Sequence, residues 1–152
     1  MGVEERLKEL GVELPSAATP VANYVPAVRT GNLVFLSGHG PVGKDGVITG
    51  KLGTDLTVEE GYQAARIVAI GLLGSLKAVI GDLDKVRRIV KLLGMVHCDP
   101  GFRDHPRVID GASDLLVEAF GDRGRHARSA VGMNALPFGI AVEIEMIAEV
   151  ED

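Results

Sequence analysis

Tryptophan is absent, and aromatic residues make up only 4% of the chain. So few rings leave little on which to stack bases. Net charge is −5, with no basic run and no basic patch interleaved with aromatics. That balance argues against a nucleic-acid surface, which usually needs a basic face. A single cysteine, Cys98, excludes an intramolecular disulfide framework and suits a reducing, cytoplasmic compartment. No stretch approaches 18 uninterrupted apolar residues, so no membrane span is expected. The opening MGVEERLKELG is charged and helical in pattern, unlike a signal peptide. Arg6 stands where a myristoylation signal carries Ser or Thr. Low-complexity tracts, internal repeats and linkers are missing too.

What remains is an ordinary globular balance, 46% apolar and 24% charged over 152 residues. That length supports one sizeable core. Residues 1–152 read as a single domain with a short N-terminal helical extension over about 1–22. Val3, Leu7 and Leu10 fall on one face of a short helix closed by Gly11, and Glu13 to Pro26 reads as an extended lead-in. Ala27 to Arg29 and Leu33 to Ser37 are β-type runs around the turn Thr30-Gly31-Asn32. Gly38 to Gly53 is glycine-rich and loop-like, with room for a short strand at Val47-Ile48-Thr49.

Thr57-Val58-Glu59-Glu60 is a capping box, in which Thr57 and Glu60 can satisfy each other's free backbone N–H groups. Ala65, Ala69, Leu72, Leu76 and Ile80 continue it at helical spacing to a stop at Gly81. Val86 to Val96 is a strand. Asp104 to Phe120 is a second helix with Pro106 in its first turn. Ser129 to Asn134 and Ala141 to Val150 are the last strands, joined by Leu136-Pro137-Phe138-Gly139. The order β-β-α-β-α-β-β predicts an α+β fold, a mixed sheet with two helices packed on one face. The other face is then uncovered, which predicts a homo-oligomer with sheets facing one another.

Several residues are candidates for chemistry. Gly38-His39-Gly40-Pro41-Val42-Gly43 matches G-x-G-x-x-G, but no helix opens at this loop to hold pyrophosphate. A glycine-lined wall near a ligand, or a plain strand-ending loop, fits it better. His97 and Cys98 are adjacent on a strand and point to opposite faces, so His97 cannot readily activate the thiol. His97, Cys98, His105 and His126 lack metal-ligand spacing, and no metal is expected. Arg128 heads an apolar strand, where a guanidinium gives a rigid fork for a carboxylate. The alternative is a structural ion pair with Glu143 or Glu145. Those two carboxylates alternate with apolar residues and share one side of the sheet. Two antiparallel strands are expected to bring Arg128 and these carboxylates into one neighbourhood. Enclosure of that face would raise a carboxylate pKa toward the range useful for proton transfer.

The combination His126-Ala-Arg-Ser129, Leu136-Pro137 and Val142-Glu-Ile-Glu-Met-Ile-Ala148 resembles the C-terminal signature of the Rid (YjgF-type) family. Tyr24-Val25, Ser37-Gly38 and Gly81-Asp-Leu-Asp-Lys-Val86 match in the same order, so the resemblance runs from about Asn23 to Glu149. The N-terminal extension and Gly111-Ala-Ser-Asp-Leu-Leu116 are similar to its longer-chain subgroup. The resemblance implies a chorismate-mutase-like fold, a homotrimer, and ligand clefts between subunits. It implies hydrolysis of enamines and imines such as 2-aminoacrylate to 2-oxo acids and ammonia, without cofactor or metal. By position, Arg128 would clamp the substrate carboxylate and Glu143 would handle the attacking water. Gly38 would supply backbone contacts, and Tyr24 would line the cleft from its own or a neighbouring subunit. Ala130 stands where family deaminases often carry Cys. A non-catalytic trimer holding a 2-oxo acid is the alternative. RNA cleavage, sometimes attached to the family, is opposed by the acidic charge.

Overall fold

The computed structural model describes residues 1–17 and 22–152. The extended lead-in expected over Glu13 to Pro26, like the end of the extension near residue 22, falls partly on residues 18–21, outside the described ones. Helix α1, Val3–Glu9, buries Val3 and Leu7. Its first turn is tied to the body by Asp84, whose carboxylate accepts the Val3 N–H at 2.7 Å. Strands β1, Ala27–Thr30, and β2, Leu33–His39, form a tight antiparallel hairpin. Its turn includes Gly31 at φ +58°, a left-handed value that glycine reaches without a Cβ clash.

The Gly38–Gly53 stretch holds a small separate hairpin, β3, Val42–Gly43, with β4, Gly46–Val47. The expected strand at Val47–Thr49 is therefore shorter and earlier, and Thr49 only bridges to Ile140. Helix α2, Val58–Ile80, opens on the predicted capping box. The Thr57 hydroxyl accepts the Glu60 N–H at 3.1 Å, and the Glu60 carboxylate accepts the Thr57 N–H at 3.0 Å. Gly81 ends it at φ +84°. By length and composition α2 is apolar enough to cross a bilayer, although charged residues interrupt it. Here Ala65, Val68, Leu72 and Leu76 are fully buried inside the fold, which makes it the core helix.

Strand β5, Val86–His97, follows, then helix α3, His105–Phe120, strand β6, Ala127–Met133, and strand β7, Val142–Val150. The five long strands form one sheet in the order β1-β2-β7-β5-β6. Only β5 and β6 run parallel. The sheet is mixed as expected, and α2 and α3 cover one face. Val34, Leu36, Ile89, Leu92, Ile144 and Ala148 fill that interface. Gly94 of β5 admits Ile109 of α3, whose side chain would lie 2.7 Å from any Cβ there.

The opposite face carries Val28, Phe35 and Val131, exposed at 54%, 42% and 38%. This is the uncovered apolar face foreseen from the element order.

The neighbourhood expected for Arg128 and the β7 carboxylates does not form within one chain. β6 and β7 are not partners, because β5 runs between them. Arg128 sits opposite Leu92, which is fully buried beneath the helices. Arg128 therefore points to the helix side. Glu143 and Glu145 alternate with buried Val142, Ile144 and Met146, so they point to the open side.

Candidate functional site

Glu143 is placed by a β-bulge. The β2–β7 register shifts between Leu36 and His39, which lifts Gly38 over the Glu143 side chain. A Cβ on Gly38 would overlap the Glu143 carboxylate, so only glycine lets backbone and carboxylate meet.

His39 anchors the bulge. Its Nδ1–H donates to the Ser37 carbonyl at 2.6 Å, which leaves Nε2 to accept from the Ser75 hydroxyl at 2.8 Å. Burial lowers the His39 pKa against the opposing effect of the Ser37 carbonyl, so the ring stays neutral near pH 7. The Ser37 hydroxyl donates to the Val25 carbonyl at 2.7 Å and holds the Tyr24–Val25 segment beside β2.

Tyr24, Ser37, Gly38 and Glu143 border a cleft of about 1020 Å³ on the open face, with Phe35, Phe138 and Glu145 on its walls. Phe138 is 80% exposed and takes φ +59°, a costly backbone state for a bulky residue. Desolvation raises the Glu143 pKa, and the Glu145 charge raises it further. Tyr24, Gly38 and Glu143 thus line one cleft.

Arg128 belongs to a second cluster, between β6 and α3. Its Nη2 lies 2.9 Å from Asp110 Oδ1 and donates to the Pro106 carbonyl at 3.3 Å. Its Nη1 donates to the Ser113 hydroxyl at 3.0 Å. Asp110, rather than Glu143 or Glu145, is its ion-pair partner. The His126 Nδ1–H donates to the Gly124 carbonyl at 2.6 Å, so Nε2 accepts the Ser113 hydroxyl proton at 2.8 Å. Burial is the main cause lowering the His126 pKa, with Arg128 adding to it. Sequence reasoning missed Ser113 and the role of His126. The available signal was Pro106, Asp110 and Ser113 at spacings of four and three, which share one helix face.

Cys98 lies 3.4 Å from His105 Nε2, not against His97. Burial pushes its thiol pKa up, which disfavours the nucleophilic thiolate. Among the described residues, no group of three or more His, Cys, Asp or Glu side chains could hold a metal ion.

Residues 4–150 match the protein family described as "YjgF/chorismate mutase-like, putative endoribonuclease". The chain is 45% identical over 152 residues to protein TCP17 of Trypanosoma cruzi, covering 99% of this chain and 95% of that one. It is 30% identical over 141 residues to a 2-iminobutanoate/2-iminopropanoate deaminase of Dermatophagoides farinae, covering 92% and 95% respectively. A solved structure of unknown function from Agrobacterium tumefaciens superposes with a TM-score of 0.92 at 45% identity, covering 98% of this chain and 92% of that one.

Proposed function

The chain belongs to the YjgF/chorismate-mutase-like family and has its α+β fold, and on that premise we propose that it hydrolyses reactive enamines and imines of the 2-aminoacrylate type to 2-oxo acids and ammonia. The observation that carries this reading is the half-buried Glu143 carboxylate, held under the Gly38 bulge with a raised pKa.

The chemistry asks for little. The enamine picks up a proton at its terminal carbon and becomes an imine. Water adds to the imine carbon while Glu143 takes a proton from it. The resulting carboxylic acid returns the proton to nitrogen, and ammonia leaves as the C–N bond breaks and the C=O forms, with the freed Glu143 carboxylate taking the proton of the carbinolamine hydroxyl. A raised pKa makes Glu143 a stronger base for that step. Arg128 orients the substrate through its carboxylate, as a bidentate fork does.

One chain keeps Arg128 and Glu143 on opposite sides of its sheet, so this mechanism takes each from a different copy. Such a contact would be heterologous, the β6 edge of one copy meeting the open face of the next, and a heterologous contact forms a ring when its rotation closes. We propose a homotrimer with three such clefts.

The test is decay of 2-aminoacrylate, generated in the cuvette by a pyridoxal-phosphate-dependent serine dehydratase, with and without the protein. Acceleration is expected, and Glu143→Gln should reduce it by about 10²-fold. The wild-type rate should rise with pH through the elevated Glu143 pKa and reach its plateau above the ordinary carboxylate range. A variant as fast as wild type, with the same acid limb, would remove Glu143 from the mechanism.

Gly38→Ala offers a geometric check. Its Cβ overlaps a flexible side chain rather than backbone, so the carboxylate moves and the fold survives. Displacement of about 1 Å costs roughly 10²-fold in rate, while the thermal midpoint should stay within about 3 °C. Unchanged kinetics would mean that the carboxylate does not work from this position.

A binding-only reading draws on the Arg128 fork being engaged already by Asp110 and Ser113. It predicts saturable binding of a 2-oxo acid with ammonia released only at the spontaneous rate.

A further inference from the structure

We infer that Asp110 makes this site selective for ligands that carry a hydrogen-bond-donating nitrogen beside their carboxylate, and turns it against 2-oxo acids. The inference rests on the reading above, that Arg128 receives the ligand's carboxylate.

The guanidinium is not a free cation. Its side chain is 24% exposed, and Asp110 Oδ1 stands 2.9 Å from Nη2. It is also held in that orientation. The Gly124 carbonyl fixes the His126 tautomer, His126 Nε2 commits the Ser113 proton, and Ser113 presents a lone pair to Nη1. The Pro106 carbonyl fixes Nη2 from the helix side. Arg128 cannot turn away from Asp110 without breaking this chain of contacts.

The consequence is electrostatic. Arg128 and Asp110 sum to zero charge, and a ligand carboxylate that reaches the guanidinium also approaches a fixed carboxylate. Like charges this close repel, and partial burial weakens the screening. A 2-oxo acid offers Asp110 only further acceptors. A 2-imino acid, protonated on nitrogen, offers it a cationic N–H instead. The Asp110 side chain is 45% exposed, and a carboxylate has about four acceptor positions, so it can serve a ligand while still holding Arg128. The substrate therefore satisfies both members of the pair, whereas the product satisfies one and opposes the other. Hydrolysis itself converts a favoured ligand into a disfavoured one, which speeds product release.

The experiment uses two stable probes of one carbon skeleton, 2-aminobutanoate and 2-oxobutanoate, titrated calorimetrically into the full-length protein. Wild type should bind the amino acid at least about tenfold more tightly, a difference of about 1.4 kcal/mol. Asp110→Asn keeps the size of the side chain and can still accept from Arg128, so its thermal midpoint should match wild type. The preference should then fall to within about twofold, chiefly because 2-oxobutanoate binds more tightly. A preference unchanged in Asp110→Asn, or wild type favouring 2-oxobutanoate, overturns the inference. Arg128→Ala separates this from the underlying reading. If it weakens both probes while Asp110→Asn leaves their ratio alone, only the selectivity role of Asp110 is lost. If it weakens neither, the carboxylate clamp fails and the inference fails with it.

Discussion

Arg128→Ala is expected to lower kcat/KM for 2-aminoacrylate-type substrates by about 10³-fold, with the chain still folded. A fork on a carboxylate makes two charge-assisted hydrogen bonds, each worth about 1.5–3 kcal/mol. Losing about 4 kcal/mol of transition-state binding corresponds to that factor. The fold should survive, because the Arg128–Asp110 pair is partly exposed and such pairs contribute less than about 1 kcal/mol. Ser113 also keeps its bond to His126. Arg128→Lys retains the charge but not the fork, so it should lose about 10–100-fold, between wild type and Ala. The loss should appear in KM as well as kcat, since the carboxylate is held in both ground and transition states. Full activity in Arg128→Ala would remove the arginine from the site and leave its bonds to α3 as purely structural.

Local features of this fold were open to reading from the sequence. The Thr57–Glu60 capping box, Gly81 at the end of α2 and Pro106 in the first turn of α3 are all chain-local, and the structure has them. So is the shared face of Glu143 and Glu145, because side chains in one strand alternate. The relation between Arg128 and Glu143 is not local. Which face each strand presents depends on its register with a partner, and the partner of both β6 and β7 is β5, which lies on the far side of α3 in the chain. Sequence proximity suggested that the last two strands pair with each other. The parallel placement of β6 beyond β5 separates them instead, and the expected shared floor becomes two half-sites.

The Asp110–Ser113–His126 cluster lies between these cases. Its helix spacing was visible, yet nothing in the sequence said that this face of α3 meets Arg128. The β-bulge at Ser37–Gly38 was hidden for the same reason, since a bulge exists only relative to the strand beside it.

Gly111→Ala should destabilise the chain by about 2–3 kcal/mol and lower its thermal midpoint by about 4–12 °C. Alanine is normally the better helix former, by about 1 kcal/mol, so the expected sign is set by packing. A Cβ at Gly111 would overlap the Tyr62 carbonyl oxygen. It would also lie 2.8 Å from the Tyr62 carbonyl carbon and 3.2 Å from the Arg66 nitrogen. All three are backbone atoms of α2 and cannot rotate aside, so the two helices must separate. Separation loosens the layer in which Val108, Ala112 and Leu115 of α3 are fully buried, and the dispersion attraction forfeited across the gap has no substitute. Gly101→Ala is the control, because a Cβ there meets nothing within 4 Å, and its stability should stay within about 0.5 kcal/mol of wild type. Urea midpoints of the two variants measure the difference directly. Equal midpoints would mean that the α2–α3 crossing gives way more cheaply than its close backbone approach implies. Gly111 also follows Asp110 and precedes Ser113 on the same helix. The depth at which α3 seats on α2 therefore sets where those two side chains meet Arg128, and Gly111→Ala should disturb ligand binding even at temperatures where it remains folded.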